Sequence, residues 1–250
     1  MSVKIQYASD LHLEVHPTKF RKLIKPCADI LILAGDIGHP FRRVFSEFLK
    51  WCSQKFEHVV FVPGNHEYHG SSLSKARRKM QRICRDHGVL FADRDILELP
   101  EYNLVILGAT LWSNIPPSKS FEVSFTVDDY SCIEGFNVST VNKLHRTDKN
   151  WLRQTISFFR ELNPEYRLCV VTHHAPTLRL PIPPKHRSSS NESCAHASDC
   201  SDLMDGVWLW IYGHTHYNNT FRYGSTIVTS NQRGYSNKTT YHKDQFVLKK

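Results

Sequence analysis

The feature that most constrains this chain is a recurring short apolar run. "VKIQYAS", "DILILAGD", "HVVFVPGN", "LVILGAT", "RLCVVTHH" and "VWLWIYGH" are Val/Ile/Leu-rich, about a strand long, and closed by Gly, Pro, Asn or His. Helical spacing fills the gaps: Phe41, Val44, Phe45, Phe48 and Leu49 first, then Leu73, Ala76, Met80 and Ile83. A third stripe runs through Trp151, Leu152, Thr155, Phe158, Phe159 and Leu162 and is stopped by Asn163 and Pro164. "NTFRYGSTIVTS" reads as a hairpin turning at Tyr223 and Gly224. The alternation predicts an α/β architecture with a mixed sheet, two sheets packed between helices. No linker or internal repeat divides residues 1–250, so one domain is expected. Residues 113–150 and 176–202 break the alternation and read as long polar loops, the kind that serve as lids or stay poorly ordered.

Composition narrows the setting. The 250 residues are 40% hydrophobic and 22% charged, which suits a globular chain with a substantial core. No apolar run nears the roughly 18 residues that would cross a bilayer. "MSVKIQYASDLHLE" lacks the layout of a signal peptide, so a cytoplasmic protein is expected. The seven cysteines are irregularly spaced with no CxxC pair, which argues against a disulfide framework. Cys52, Cys84 and Cys169 read as small buried hydrophobes. Cys194, His196 and Cys200 are close enough in sequence to bind zinc in principle, at a spacing that matches no known finger. A net charge of +8 favours anionic ligands: nucleic acid, nucleotides or phosphorylated small molecules. Against a nucleic-acid partner, "KARRKMQRICR" sets its bases on the solvent face of a helix, and no nucleic-acid motif accompanies it.

The strand ends are more specific. The first gives Asp10 and His12, the second Asp36, the third Asn65 and His66; two later ones give His173 with His174 and His214 with His216. Ligands of such sheets gather where the carboxyl ends of strands open into loops. Taken singly, "DLH" reads as a cap or turn and "GNH" as a tight turn. Taken together, always after an apolar strand, they point to metal. Nitrogen and hard oxygen donors without thiolate suit Mn, Fe or Zn, and the supply of ligands suits two ions.

The series "DLH", "GD", "GNHE", "THH" and "GHTH" closely resembles the calcineurin-like metallophosphoesterase superfamily, over residues 10 to 216. The resemblance implies a four-layer α/β/β/α sandwich with a two-metal site. By similarity, Asp10, His12 and His216 would hold one ion, Asn65, His173 and His214 the other, and Asp36 would bridge them. His174 matches no ligand position. Two divalent ions less two carboxylates and a bridging hydroxide leave a positive site for an anionic phosphoester, and the ions would activate and orient the shared water. His66 would stabilise the transition state or protonate the leaving oxygen.

Departures from the pattern narrow the branch. Ser/Thr phosphatases of the superfamily carry an Asp three residues after the bridging Asp and an Arg directly before "GNHE"; here those places hold His39 and Pro63. Purple acid phosphatases place a Tyr ligand where His39 stands. Either departure speaks against that branch, and His39 is a candidate to orient His66 or touch substrate. "DDYSCI", "LHRTDKNWL", "HHAPT", "ASDC" and "SNQRGY" are similar to stretches of small, mostly uncharacterised metallophosphoesterases. In that comparison residues 113–150, with Asp129, Tyr130 and His145, would cap the metals and select a phosphomonoester or phosphodiester substrate. A nuclease acting on RNA or DNA and a metal-binding scaffold without activity are the alternatives.

Overall fold

The core strands are apolar along most of their length because they are buried on both faces. In the computed structural model, which describes residues 2–15, 20–178, 194–235 and 239–249, the strand Ile30–Ala34 (β2) sends Ile30, Ile32 and Ala34 to one side and Leu31 and Leu33 to the other. The two-residue period of a strand thus feeds two different cores.

In chain order the elements before the middle of the chain are β1 (Val3–Ala8), β2, α1 (Arg43–Ser53), β3 (His58–Val62), β4 (Ser71–Ser72), α2 (Leu73–His87) and β5 (Leu90–Phe91). Then come β6 (Asp95–Leu99), β7 (Leu104–Ala109), α3 (Ser120–Thr126), α4 (Asp129–Cys132), β8 (Ile133–Glu134) and α5 (Val138–Leu162). The described remainder holds the strands β9 (Arg167–Thr172), β10 (Val207–Tyr212), β11 (Thr220–Tyr223), β12 (Thr226–Ser230) and β13 (Phe246–Lys249), with a 3-10 turn at Ser201–Leu203.

One sheet has the order β13-β1-β2-β3-β5, with β13 antiparallel and the others parallel. The second has the order β11-β12-β10-β9-β7-β6, parallel in its centre and antiparallel at both edges. Between the sheets lie Ile5, Ile32, Val60, Val62, Ile106, Val171 and Ile211. Outside the first sheet, Leu31, Leu33 and Phe61 meet Phe45, Phe48 and Leu49 of α1 and Ala76, Met80 and Ile83 of α2. Outside the second, Val105, Leu107, Val170 and Trp210 meet Leu152, Ile156 and Phe159 of α5. The architecture is a four-layer α/β/β/α sandwich with two mixed sheets. Burying an aromatic such as Phe45 or Phe48, both fully inaccessible, contributes roughly 1.5–3 kcal/mol apiece.

The expected hairpin is present, with β11 and β12 antiparallel around Gly224 and Ser225. Two expectations fail. Residues 113–150 are not an irregular loop: they contain α3, α4 and the first half of α5. Helix α5 begins at Val138 because Asn137 accepts a hydrogen bond from Thr140 N, an N-cap hidden in a polar stretch. Its buried face is partly polar, with His145, Asp148 and Thr155 beside Val141 and Leu152, which blurs the apolar period. In the same helix Phe158 and Leu162 are 57% and 59% exposed, so the packed stripe is Leu152–Ile156–Phe159. Of the second expected loop, residues 179–193 lie outside the described residues. No helix among the described residues is long and apolar enough to cross a membrane.

Candidate metal centre

Parallel pairing brings the carboxyl ends of β1, β2, β3, β9 and β10 to one edge, and the chain turns there under strain. Asp10, His12, Asp36, His214 and His216 all adopt positive φ, between 47° and 70°. Left-handed backbone in non-glycine residues costs energy and persists where the surroundings dictate it. The motif glycines have a steric reason. A Cβ on Gly35 would lie 2.2 Å from the His173 ring, and one on Gly64 would lie 2.2 Å from Asp36 Oδ1. Each glycine clears room for the side chain of another motif.

The donors gather in overlapping groups. Asp10, His12 and His216 place one ligand atom each within 4.8 Å of one another; so do Asp36, His173 and His214, and so do His12, Asp36 and His66. His216 Nε2 stands 3.3 Å from Asp10 Oδ1 and 3.1 Å from His12 Nε2. Asn65 Oδ1 lies 3.0 Å from His173 Nε2. Asp36 sits between the groups, Oδ2 4.0 Å from His12 Nε2 and Oδ1 3.3 Å from His173 Nε2. All seven residues expected as ligands are therefore neighbours. His174 is buried against Trp112 and His214 and belongs to none of these groups.

Two carboxylates outside the expected ligand set hold this floor. Glu67, fully buried, accepts four backbone N–H bonds: Asp36 and Gly64 to Oε2 at 3.0 and 2.7 Å, Ile37 and Gly38 to Oε1 at 2.7 and 3.0 Å. Burial and the Asp36 charge push its carboxyl up. Four donors aimed at two oxygens leave a proton no acceptor and hold the group as a carboxylate. Glu14 stands 2.9 Å from His12 Nδ1 and 3.5 Å from His66 Nδ1. Burial alone would raise its carboxyl, but those two histidines outweigh it and hold the group down at about 2. The only signals in the sequence are the letters after the ligands, "DLHLE" and "GNHE".

His39 does not orient His66. Its Nε2 donates to the His69 carbonyl at 2.8 Å and its Nδ1 faces Phe41 N, a turn staple. The carboxylates beside His66 are Glu14, 3.5 Å from Nδ1, and Asp36, 4.0 Å from Nε2. Tyr130 and His145 do not line the site either. Tyr130 packs on Phe136, and His145 is buried beneath, donating from Nδ1 to the Leu111 and Trp112 carbonyls at 2.9 and 3.1 Å. Those two residues also have positive φ, 66° and 27°. Asp148 accepts Leu111 N at 2.9 Å and pairs with Arg94, so α5 pins a strained turn beside the site. Among the described residues Cys194, His196 and Cys200 form no metal-type group: Cys200 is in the core and His196 Nδ1 meets His214 Nε2 at 3.0 Å.

Above the floor is a cleft of about 360 Å³, walled by His66, His69, Thr126, Val127, Asp128, Asp129, His196, His214, His216 and Tyr235. Burial alone would discharge His66 and His173, but Asp36 and its neighbours outweigh it and raise them to about 10 and about 9. In the protein's own field, histidinium protons balance the buried acids. Divalent ions fit the same donor set: the His12 and His216 imidazole nitrogens, 3.1 Å apart beside the buried Asp10 and Asp36 carboxylates, are arranged to give up protons to a metal.

Comparison with known proteins agrees with this geometry. Residues 3–218 match the family model for the calcineurin-like phosphoesterases. A protein of Acanthamoeba polyphaga mimivirus, named "Uncharacterized protein L509", is 30% identical over 259 aligned positions, covering 94% of this chain and 92% of that protein. The phosphopantetheinyl hydrolase PptH of Mycobacterium tuberculosis has the same fold, with a TM-score of 0.72 at 16% identity over 93% of this chain and 89% of that one. TT1561 of Thermus thermophilus follows at 0.54 and 12%, over 93% and 90%. The motif series, the sandwich and a family match across most of the chain lead to one conclusion: this protein belongs to the calcineurin-like phosphoesterases, metal-dependent hydrolases of phosphoesters.

Proposed function

We propose that Asp10, His12 and His216 hold one divalent ion (Mn, Fe or Zn), that Asn65, His173 and His214 hold a second, and that Asp36 bridges them. The observation that carries this reading is the position of Asp36, with one oxygen toward each donor group. Such a pair of ions, when bound, supplies an activated water and neutralises the phosphoryl oxygens. The chain's own residues do the rest. Glu67 fixes the turn that carries Asp36, and the buried His173 and His12 leave the carboxylate little room to swing.

His66 faces the cleft with Nδ1 toward Glu14 and Nε2 hydrogen-bonded to Tyr235 Oη at 2.8 Å. A proton held at Nε2 is placed to pass to the leaving oxygen while Glu14 keeps the ring's other nitrogen protonated. The substrate class is a phosphomonoester or phosphodiester. The bases behind the net charge do not favour nucleic acid: Arg78, Arg82 and Arg85 lie on α2, in the outer layer, and no described residue lining the cleft is Lys or Arg.

The test is an Mn-supplemented panel of phosphomonoesters, phosphodiesters, cyclic nucleotides and short oligonucleotides, run on wild type and His66→Asn. The variant should keep its metals and slow alkyl esters by roughly 10²–10⁴-fold, with a smaller loss on a nitrophenyl ester, whose leaving group needs little protonation. Equal losses on both would take the acid role from His66. Hydrolysis of oligonucleotides alone would favour the nuclease reading.

A further inference from the structure

Asn65 raises a problem of symmetry. A carboxamide has two ends of nearly equal shape and opposite polarity, and only its oxygen can bind a cation. Something must choose which end faces His173. In the structure Oδ1 faces His173 Nε2 at 3.0 Å, and Nδ2 donates to Asp129 Oδ1 at 2.8 Å. A carboxylate only accepts, so the choice is dictated. A flipped amide would set two oxygens 2.8 Å apart with no proton between them.

Asp129 is itself held. It is 6% exposed, and the same Oδ1 accepts from His69 Nε2 at 2.7 Å. The His69 carbonyl receives His39 Nε2, so the residue that replaces the phosphatase Asp braces this chain of contacts. The short helix α4 that carries Asp129 is tied to the "GNHEYHG" turn from its other end: Gly70 N donates to Cys132 O at 2.7 Å, and Ser71 pairs with Ile133 between β4 and β8. We propose that Asp129 is the positioning residue for the second ion, turning the Asn65 amide so that its oxygen points at the ion held with His173 and His214. This rests on the two-ion reading above. It also gives the segment over the cleft a task besides covering it.

The test is calorimetric titration of metal-stripped protein with Mn²⁺, alongside thermal unfolding without metal. Asp129→Ala should leave the first ion's affinity as in wild type and weaken the second by about 10–100-fold, the usual loss when the partner of a metal ligand is removed. Asn65→Asp adds a carboxylate that would ordinarily tighten a cation. Beside Asp129 it should weaken the second ion instead, since two carboxylates would meet at hydrogen-bond distance. In the double variant Asn65→Asp/Asp129→Ala, either oxygen serves and no orientation is needed, so affinity should recover at least about tenfold over Asp129→Ala, the lower end of that same range. The reversal of sign, with Asn65→Asp weakening the second ion in the wild-type background and strengthening it in the Asp129→Ala background, is what a merely structural role for Asp129 would not give. The proposal is overturned if Asp129→Ala titrates as wild type, if the double variant recovers nothing, or if Asn65→Asp tightens the second ion on its own. Wild type taking up one ion only would instead overturn the two-ion reading.

Discussion

The floor of the site and the wall beside it are built by different means. The floor residues Asp10, Asp36, Asn65, His173 and His214 each follow a strand, and backbone amides aim the carboxylates. His214 N donates to Asp10, His66 N to Asp36, and four amides to Glu67. The wall carried by α3 and α4, with α5 packed beneath it, is fixed by side chains far apart in sequence: Asn65 with Asp129, Arg94 with Asp148, and His145 with Leu111 and Trp112. A floor set by strand ends is inherited with the fold, whereas long-range pairs such as Arg94 with Asp148 can change without touching the expected ligands. On the proposed reading metal binding rests mainly on the first and choice of substrate on the second, with Asn65 and Asp129 joining the two.

The sharpest break of that contrast is made at the floor's centre. Asp36→Ala should abolish hydrolysis and lower metal content, because both donor groups lose their shared oxygen donor. The fold should survive: Asp36 lies outside the strand cores, and losing Asp for Ala at φ 53° adds only about 1–2 kcal/mol of backbone cost. Elemental analysis and thermal unfolding of the metal-free variant would check both halves. An active enzyme holding one ion or none would end the two-metal reading.

Glu67→Gln breaks the floor from underneath. A glutamine offers one acceptor oxygen to four N–H donors and turns an NH₂ toward some of them, leaving buried amides unsatisfied. The expected loss is about 3 kcal/mol of stability, read from urea unfolding, with weaker metal uptake following because the Asp36 turn loosens. A loss below about 1 kcal/mol, the net worth of a single ordinary hydrogen bond, would mean that the floor is not held by this carboxylate, and the contrast with the wall would blur.

Legibility in the sequence follows the same division. Strand runs such as "DILILAGD" and the motif series at their ends can be read because burial on both faces and the turn after it are local in sequence. The ligands' neighbours cannot. Glu14 and Glu67 look like ordinary acids until the chain folds their carboxylates under other motifs. Asp129 stands out only as part of a similar stretch, with nothing in its neighbourhood to say that it meets Asn65, and the orienting task expected of His39 is one that its own turn prevents. The segment 113–150 reads as loop because α5 buries His145 and Asp148 on the face where an apolar period is sought. Helices whose buried face does polar work hide from periodicity.

The smallest effect expected is also the cleanest probe of the wall. Burial depresses His145 below its ordinary 6.5, with Lys149 and Arg146 on the same helix opposing its charge, while the Leu111 and Trp112 carbonyls pull the other way. A histidine with a lowered folded pKa contributes stability that is present above about pH 6.5 and lost as pH falls from there toward the folded value, because the unfolded chain takes up the proton first. Each unit of depression is worth about 1.4 kcal/mol at the acid end of that window. His145→Asn can still donate an N–H to the same carbonyls but cannot titrate. At about pH 7.5, above that window, it should therefore cost little, under about 1.5 kcal/mol, and the gap from wild type should shrink at about pH 5.5, inside the window. The comparison belongs in metal-free protein, where subtracting the two pH curves cancels the floor histidines common to both. An unchanged gap at the two pH values would show that His145 takes up its proton alike in the folded and unfolded states, so that folding does not depress it, and any acid sensitivity of the wall would then come from another group.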